Sequence, residues 1–261
     1  ELLYKNDKVI GVQTGDRGID KHGNPKSNFD PGVDIQAKVT VLGEGTRGSL
    51  TKTLINRHNL MQGKNPQVWA IGVKELWQMP EDSIKPGYVA HTMGFPLGHD
   101  IFGGAFIYGM KNDILDLGLV MGLDYKDPSI DPHHELQLLK THPWVKSLLK
   151  DGKMIAYGAK SLPEGGYFSI PKLTVDGAML IGDSAGFMNG QRLKGIHLAM
   201  KSGMEAAETI LNALQKNNFS DSTLSDFQSR IDKSWIKTEL YKVRNFHQAF
   251  GYGLLPALVS T

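Results

Sequence analysis

Apolar residues along this chain fall mostly in short runs separated by glycine, proline, asparagine and aspartate rather than in long helical stripes. Residues 2–4 and 9–14 flank Asn6-Asp7-Lys8 and predict a β-hairpin. A polar loop through Gly23, Asn24 and Pro25 leads to a strand predicted over 35–42, then to Gly43-Glu44-Gly45 and a helix over 49–58. The next four strand-like segments, 67–79, 87–95, 103–110 and 114–123, are separated by turn residues such as Pro80-Glu81-Asp82 and Lys111-Asn112-Asp113. Their short connections favour an antiparallel sheet. Helices over 132–140 and 143–149 follow, then a strand over 154–158, and the chain closes with helices over 194–216 and 222–244. The whole reads as a mixed α/β (α+β) protein in which a discontinuous domain, 1–62 and 173–218, is interrupted by an antiparallel-sheet domain over 63–172. A helical segment over 219–261 comes last.

The chemistry concentrates where the strand pattern gives way to the first long helix. Ala178, Met179, Leu180 and Ile181 form an apolar run suited to a buried strand, and Gly182 lets the backbone leave it tightly. Asp183 then stands where a carboxylate can accept hydrogen bonds from sugar-like hydroxyls. After Asn189 and Lys194, Gly195 and Ile196 open a helix carrying small residues at Ala199, Gly203, Ala206 and Ala207, and its free N–H groups favour negative charge nearby. This arrangement suits a flavin site. The competing reading is an ordinary turn that Asp183 caps.

Composition narrows the classes. Twenty-nine basic against 27 acidic residues give no electrostatic reason to propose nucleic acid as a partner. No apolar run reaches spanning length and Glu1 starts inside a strand-like segment, so the expectation is a protein without a signal peptide, soluble or at most peripheral on a membrane. His133-His134-Glu135 lack a third ligand at useful spacing, and Asp131-Pro132 before them reads as a helix cap, so no metal site is expected. Two absences weigh more. No strand followed by G-x-G-x-x-G precedes the first hairpin, and the chain has no cysteine. It reads as the middle of a longer protein.

The segments GVQTGDRGI (11–19), VTVLGEGTRGSLTK (39–52), VKELWQMPE (73–81), IFGGAFIYG (101–109), GLVMGLDYKDP (118–128), MIAYGAKSLPEGGYFSIPKL (154–173) and GFMNGQRLKGIHLAMKSG (186–203) resemble, in order, the electron-transfer flavoprotein:ubiquinone oxidoreductases. KELW, the glycine pair of IFGGAF and EGGYFSIPKL are more specific than the flavin-type turn, which many flavoenzymes share.

The resemblance implies a FAD-binding Rossmann-like domain carrying an inserted ubiquinone domain. It implies electron relay from reduced electron-transfer flavoprotein through FAD to ubiquinone, with no side-chain nucleophile. FAD would be held by Gly43, Glu44, Gly45, Gly182, Asp183, Asn189, Lys194, Gly195 and Ile196, with Thr14 and Asp16 ranked below Asp183. Ubiquinone would meet the backbone of Gly103 and Gly104, where on residues alone a bulge or tight packing is the simpler account. The family's [4Fe–4S] cluster needs cysteine thiolates, which this chain cannot supply. The implied location is peripheral, on the inner side of a bacterial cytoplasmic membrane or on the mitochondrial inner membrane, and the apolar end over 249–261 suits a membrane-dipping hairpin or an exposed domain edge. This sequence departs from mitochondrial members at Asp183, Ile196 and Pro163, where they tend to carry cysteine, threonine and asparagine. Two rival readings stand: a FixC-like or geranylgeranyl-reductase-like flavoenzyme, and a flavin-free quinone- or lipid-binding module.

Overall fold

The computed structural model describes residues 1–253 and divides the chain into two compact units. One unit takes 1–66 and 167–242; the other takes 67–166 together with the segment that starts at Val243. The junctions read from sequence, 62/63 and 172/173, lie a few residues from these, and the helices over 221–242 pack within the first unit.

The first unit opens with β1 (Leu2–Lys5) and β2 (Lys8–Gln13), joined by Asn6 and Asp7, both at positive φ as a two-residue hairpin requires. A second hairpin, β3 (Arg17–Ile19) with β4 (Pro25–Asp30), stands where the sequence pattern gave only a loop. The strand expected over 35–42 is two pieces, β5 (Asp34–Gln36), which pairs with β2, and β6 (Thr40–Leu42), which does not. Helix α1 (Ser49–Arg57) follows.

The second unit is a five-stranded antiparallel sheet in the order β11-β7-β10-β9-β8. Its strands are β7 (Trp69–Gln78), β8 (Val89–Thr92), β9 (Gly103–Gly109), β10 (Ile114–Gly122) and β11 (Lys153–Pro163), so β11 runs five residues past its predicted end. Between β10 and β11 come α2 (Pro132–Thr141) and α3 (Pro143–Leu148). Leu115, Leu117, Leu119 and Met121 alternate on one face of β10, and Leu136, Leu139, Val145 and Leu149 share their core. Asp131 caps α2 by accepting from the backbone N–H groups of His133 and His134, with Pro132 in the first turn. That accounts for the histidine pair, and no cluster of metal-ligating side chains occurs among the described residues.

Back in the first unit, β12 (Thr174–Val175) turns through Gly177 into β13 (Ala178–Leu180), which lies parallel to β6 in the register Ala178↔Thr40 to Leu180↔Leu42. Helix α4 (Ile196–Gln215) buries Leu198, Ser202, Ala206, Thr209 and Ala213, one residue per turn along a single stripe. The helix expected over 222–244 is three short ones, α5 (Asp221–Leu224), α6 (Asp226–Lys233) and α7 (Trp235–Lys242), punctuated at Ser225 and Ser234. In the second unit, α8 (Phe246–Ala249) brings Phe246 and Phe250 against Phe102. The apolar end noted in the sequence falls largely on 254–261, outside the described residues.

Candidate functional site

Because β6 and β13 are parallel and in register, the turns that follow them emerge side by side. The turn after β13 begins at Gly182, whose φ of +55° suits glycine, and its N–H donates to the buried Ser202 hydroxyl of α4 at 3.0 Å. Ser184 Oγ donates to the Gly45 carbonyl at 3.1 Å, and Thr46 Oγ1 stands 3.5 Å from Asp183 Oδ2. Gly195 is the residue before α4 and makes no side-chain cap. A side chain there would begin 3.2 Å from Asp183 Oδ1. The structure thus brings together Gly43, Gly45, Gly182, Asp183 and Gly195 around the ends of two strands and the start of a helix.

Other predicted site residues are occupied elsewhere. Glu44 folds back over Gly48 and accepts hydrogen bonds from the backbone of Leu50 and Thr51 and from the Thr51 hydroxyl, capping α1. Partial burial pushes its carboxyl up, but these donors outweigh burial and hold it below the usual carboxylate range. Asn189 is buried, donating to Glu239 Oε1 at 2.9 Å and accepting from the Arg192 N–H, while its backbone pairs with that of Lys194. Lys194 Nζ lies 3.2 Å from the Arg192 carbonyl, and Ile196 is 81% exposed. Thr14 and Asp16 close the exposed β3–β4 excursion by accepting from Val33 N–H and Gly32 N–H.

The glycine pair of β9 has a packing explanation on its face. A Cβ on Gly104 would lie 2.1 Å from the Thr92 carbonyl, and one on Gly103 2.4 Å from that of Val120, with Gly103 at φ +157°. The β8–β9 register nonetheless ends at Thr92↔Ala105, so one side of both glycines lies beyond that ladder. Gly104→Ala is therefore expected to destabilise the unit by about 2–3 kcal/mol, as overpacking does, read as a fall in denaturant midpoint. An unchanged midpoint would refute the steric reading.

Sequence reasoning missed a group at this end of the sheet. Glu164, just past β11, is 2% exposed, and neither of its carboxylate oxygens has a hydrogen-bond partner. Burial, with a smaller contribution from the Asp124 charge, pushes its carboxyl up to about 8. Its signal was a lone acid before Gly165-Gly166 in an otherwise uncharged run.

A model of the ubiquinone-binding domain of ETF-QO matches residues 69–162, within the five-stranded unit. The mitochondrial electron transfer flavoprotein-ubiquinone oxidoreductase of Arabidopsis thaliana is 44% identical over 261 residues, covering 99% of this chain and 41% of that protein. The human enzyme is 45% identical over 252 residues, 94% of this chain and 41% of its own length. The chain is similar along nearly its whole length to the electron transfer flavoprotein-ubiquinone oxidoreductases. It spans about two-fifths of the length of these oxidoreductases.

Solved structures share the fold. A geranylgeranyl bacteriochlorophyll reductase-like protein of Thermoplasma acidophilum superposes with a TM-score of 0.71 over 96% of this chain and 56% of its own, at 16% identity. A flavin-dependent brominase gives 0.63 over 100% and 59%, at 15% identity. At such identities the likeness is one of fold. The KELW motif has a structural reason here. Lys74 pairs with Asp116 at 3.2 Å, while Glu75 accepts from Trp77 Nε1 at 2.9 Å, from Gln137 at 3.3 Å and from Lys140 at 2.8 and 2.9 Å.

Proposed function

We propose that this chain is the central part of a FAD-dependent oxidoreductase that passes electrons from reduced electron-transfer flavoprotein to ubiquinone at a membrane surface. The observation that carries this reading is identity of 44–45% to electron transfer flavoprotein-ubiquinone oxidoreductases along nearly the whole chain, through both units. The first unit is read as part of the FAD-binding domain and the second as the ubiquinone-binding domain.

The residues present fit a flavin. Glycines at 43, 45 and 195 leave backbone accessible, Gly182 packs close to α4, and at 195 a side chain would press on Asp183, so the opening beside that carboxylate depends on glycine. Asp183 would accept from ribityl hydroxyls, and the uncapped start of α4 at Gly195 and Ile196 would face the electron-rich edge of the ring. Lys194 and Asn189 would hold the loop between them through their backbone pairing. Glu44 serves this site indirectly, by fixing the 43–48 loop against α1. When bound, FAD supplies reversible uptake and release of electrons, which no side chain here provides.

Ubiquinone is read at the side of Gly103 and Gly104 that lies beyond the β8–β9 ladder, where backbone groups can meet its ring oxygens. A [4Fe–4S] cluster in the parent protein would draw its thiolates from outside these 261 residues, which contain no cysteine. No helix among the described residues is long and apolar enough to cross a membrane. Val89 and Phe95, each more than half exposed, suit peripheral contact.

Two experiments on the full-length protein test the reading. Asp183→Ala should weaken FAD binding about tenfold or more, the loss of a hydrogen bond to a charged acceptor worth about 1.5–3 kcal/mol. Unchanged affinity on titration would remove Asp183 from the site. A photoreactive ubiquinone analogue should label 92–106, mapped by mass spectrometry, and labelling elsewhere would sink the quinone assignment.

A further inference from the structure

Pro163 stands opposite Trp69, Ala70 opposite Gly122, and Met121 opposite Gly103. The end of β11 and the start of β9 therefore share one end of the sheet, three strand spacings or roughly 14 Å apart. The interval holds a set of polar groups that neither packing nor the reading above uses. Asp124, two residues past β10, is half-exposed, and its Oδ2 lies 3.0 Å from His247 Nε2. The His247 ring rests against Phe102, centroids 4.6 Å apart, and Phe102 immediately precedes Gly103. The other ring nitrogen, Nδ1, is buried without a partner, as are both oxygens of Glu164.

An imidazole oriented by a carboxylate through one nitrogen, with the other nitrogen unpaired, is the arrangement of a general acid. Reduction of a quinone to a quinol requires two protons as well as two electrons. We propose that Glu164, Asp124 and His247 form the proton supply for quinone reduced beside Gly103 and Gly104. This rests on the quinone reading of those glycines. The electrons are those of the bound reduced flavin in the proposed reaction. The first N–H bond to break is that at Nδ1 of the Asp124-paired His247 ring, and the new O–H bond forms on a quinone oxygen. The second proton is the one Glu164 holds: its carboxyl O–H bond breaks, Asp124 takes the proton, and water at half-exposed Asp124 carries it to the second quinone oxygen, where the new O–H bond forms. Water at half-exposed Asp124 refills both groups.

The electrostatics agree with that division. Burial, then the Asp124 charge, raises Glu164, so its carboxyl carries a proton at neutral pH, whereas the His247 hydrogen bond holds Asp124 below the usual carboxylate range and so ionised. The charged group facing Glu164 at this end is Asp124; the start of β7, Gln67 to Trp69, adds none.

The test uses the full-length holoenzyme and rapid mixing of the reduced protein with a ubiquinone analogue. Glu164→Gln and His247→Gln should each slow flavin reoxidation about tenfold or more, with flavin content, flavin reduction and the KM for quinone unchanged. The wild-type rate should fall above pH about 8, and Glu164→Gln should lack that break. Infrared spectroscopy should find a protonated-carboxyl band that titrates over the same range and is missing from Glu164→Gln. Full rate with the break retained in Glu164→Gln would overturn the proposal. So would the absence of a titrating carboxyl band in the wild type, a measurement that stands even if the variant fails to fold. Photolabelling away from 92–106 would sink the quinone placement alone and leave the carboxyl band intact.

Discussion

Lys140→Met is expected to lower the stability of the 67–166 unit by about 3–5 kcal/mol, the cost of leaving one partner of a buried ion pair uncompensated. Glu75 is 3% exposed and sits in a strand of a sheet, where water cannot replace a missing cation. Burial alone would raise its carboxyl. Hydrogen bonds from Lys140, Trp77 and Gln137 outweigh burial and leave it below the usual range, so it is ionised at neutral pH. A carboxyl held low contributes stability above its unfolded pKa and loses it as pH falls through the folded value. The penalty of Lys140→Met should therefore shrink in acid, as Glu75 takes up a proton. Adding Glu75→Gln should restore most of the loss, because the variant pair buries no charge. Urea midpoints of the three proteins at neutral and acid pH check this, and equal midpoints for wild type and Lys140→Met would refute it.

Glu164→Gln should have the opposite effect, making the protein more stable than wild type in base. A carboxyl raised to about 8 in the fold and near 4.5 when unfolded means that the folded state binds the extra proton between those values. Stability then falls as pH rises across that window, by about 1.4 kcal/mol per pH unit, and levels off above about 8. The accumulated difference is on the order of 5 kcal/mol, and glutamine, which never ionises, escapes it. Thermal melts of both proteins from acid to base should diverge through this window and converge below it. Parallel melting curves would show that Glu164 is not held neutral.

The two carboxylates also mark how far the sequence could be read. The apolar run 178–181, Gly182 and the helix start at Gly195 declared a strand, a turn and a helix, because each depends on near neighbours. KELW stood out as a signature, yet its role did not, since Glu75 is satisfied from α2, 65 residues away. Glu44 looked like a ligand-contacting acid between glycines and proved to cap the helix it precedes. The β3–β4 hairpin escaped notice because β4 is exposed along its entire length and has no apolar alternation to announce it. Ser225 and Ser234 broke a predicted helix into pieces because serine hydroxyls satisfy turn backbone as readily as helix does, as the Ser234 hydroxyl does for Ile231 and Ile236.

The parallel pairing of β6 with β13 also sets an order of events during synthesis. The hairpin of Leu2 to Gln13 can close as soon as it leaves the ribosome, but Thr40 must wait for Ala178, 138 residues later, before its strand gains that neighbour. Meanwhile the whole five-stranded sheet of 67–166 emerges as one uninterrupted stretch, with every strand pairing inside it. That sheet is thus free to fold before the rest of the first unit and the α8 segment are made, and the N-terminal strands spend that interval with apolar faces open to whatever holds nascent chains.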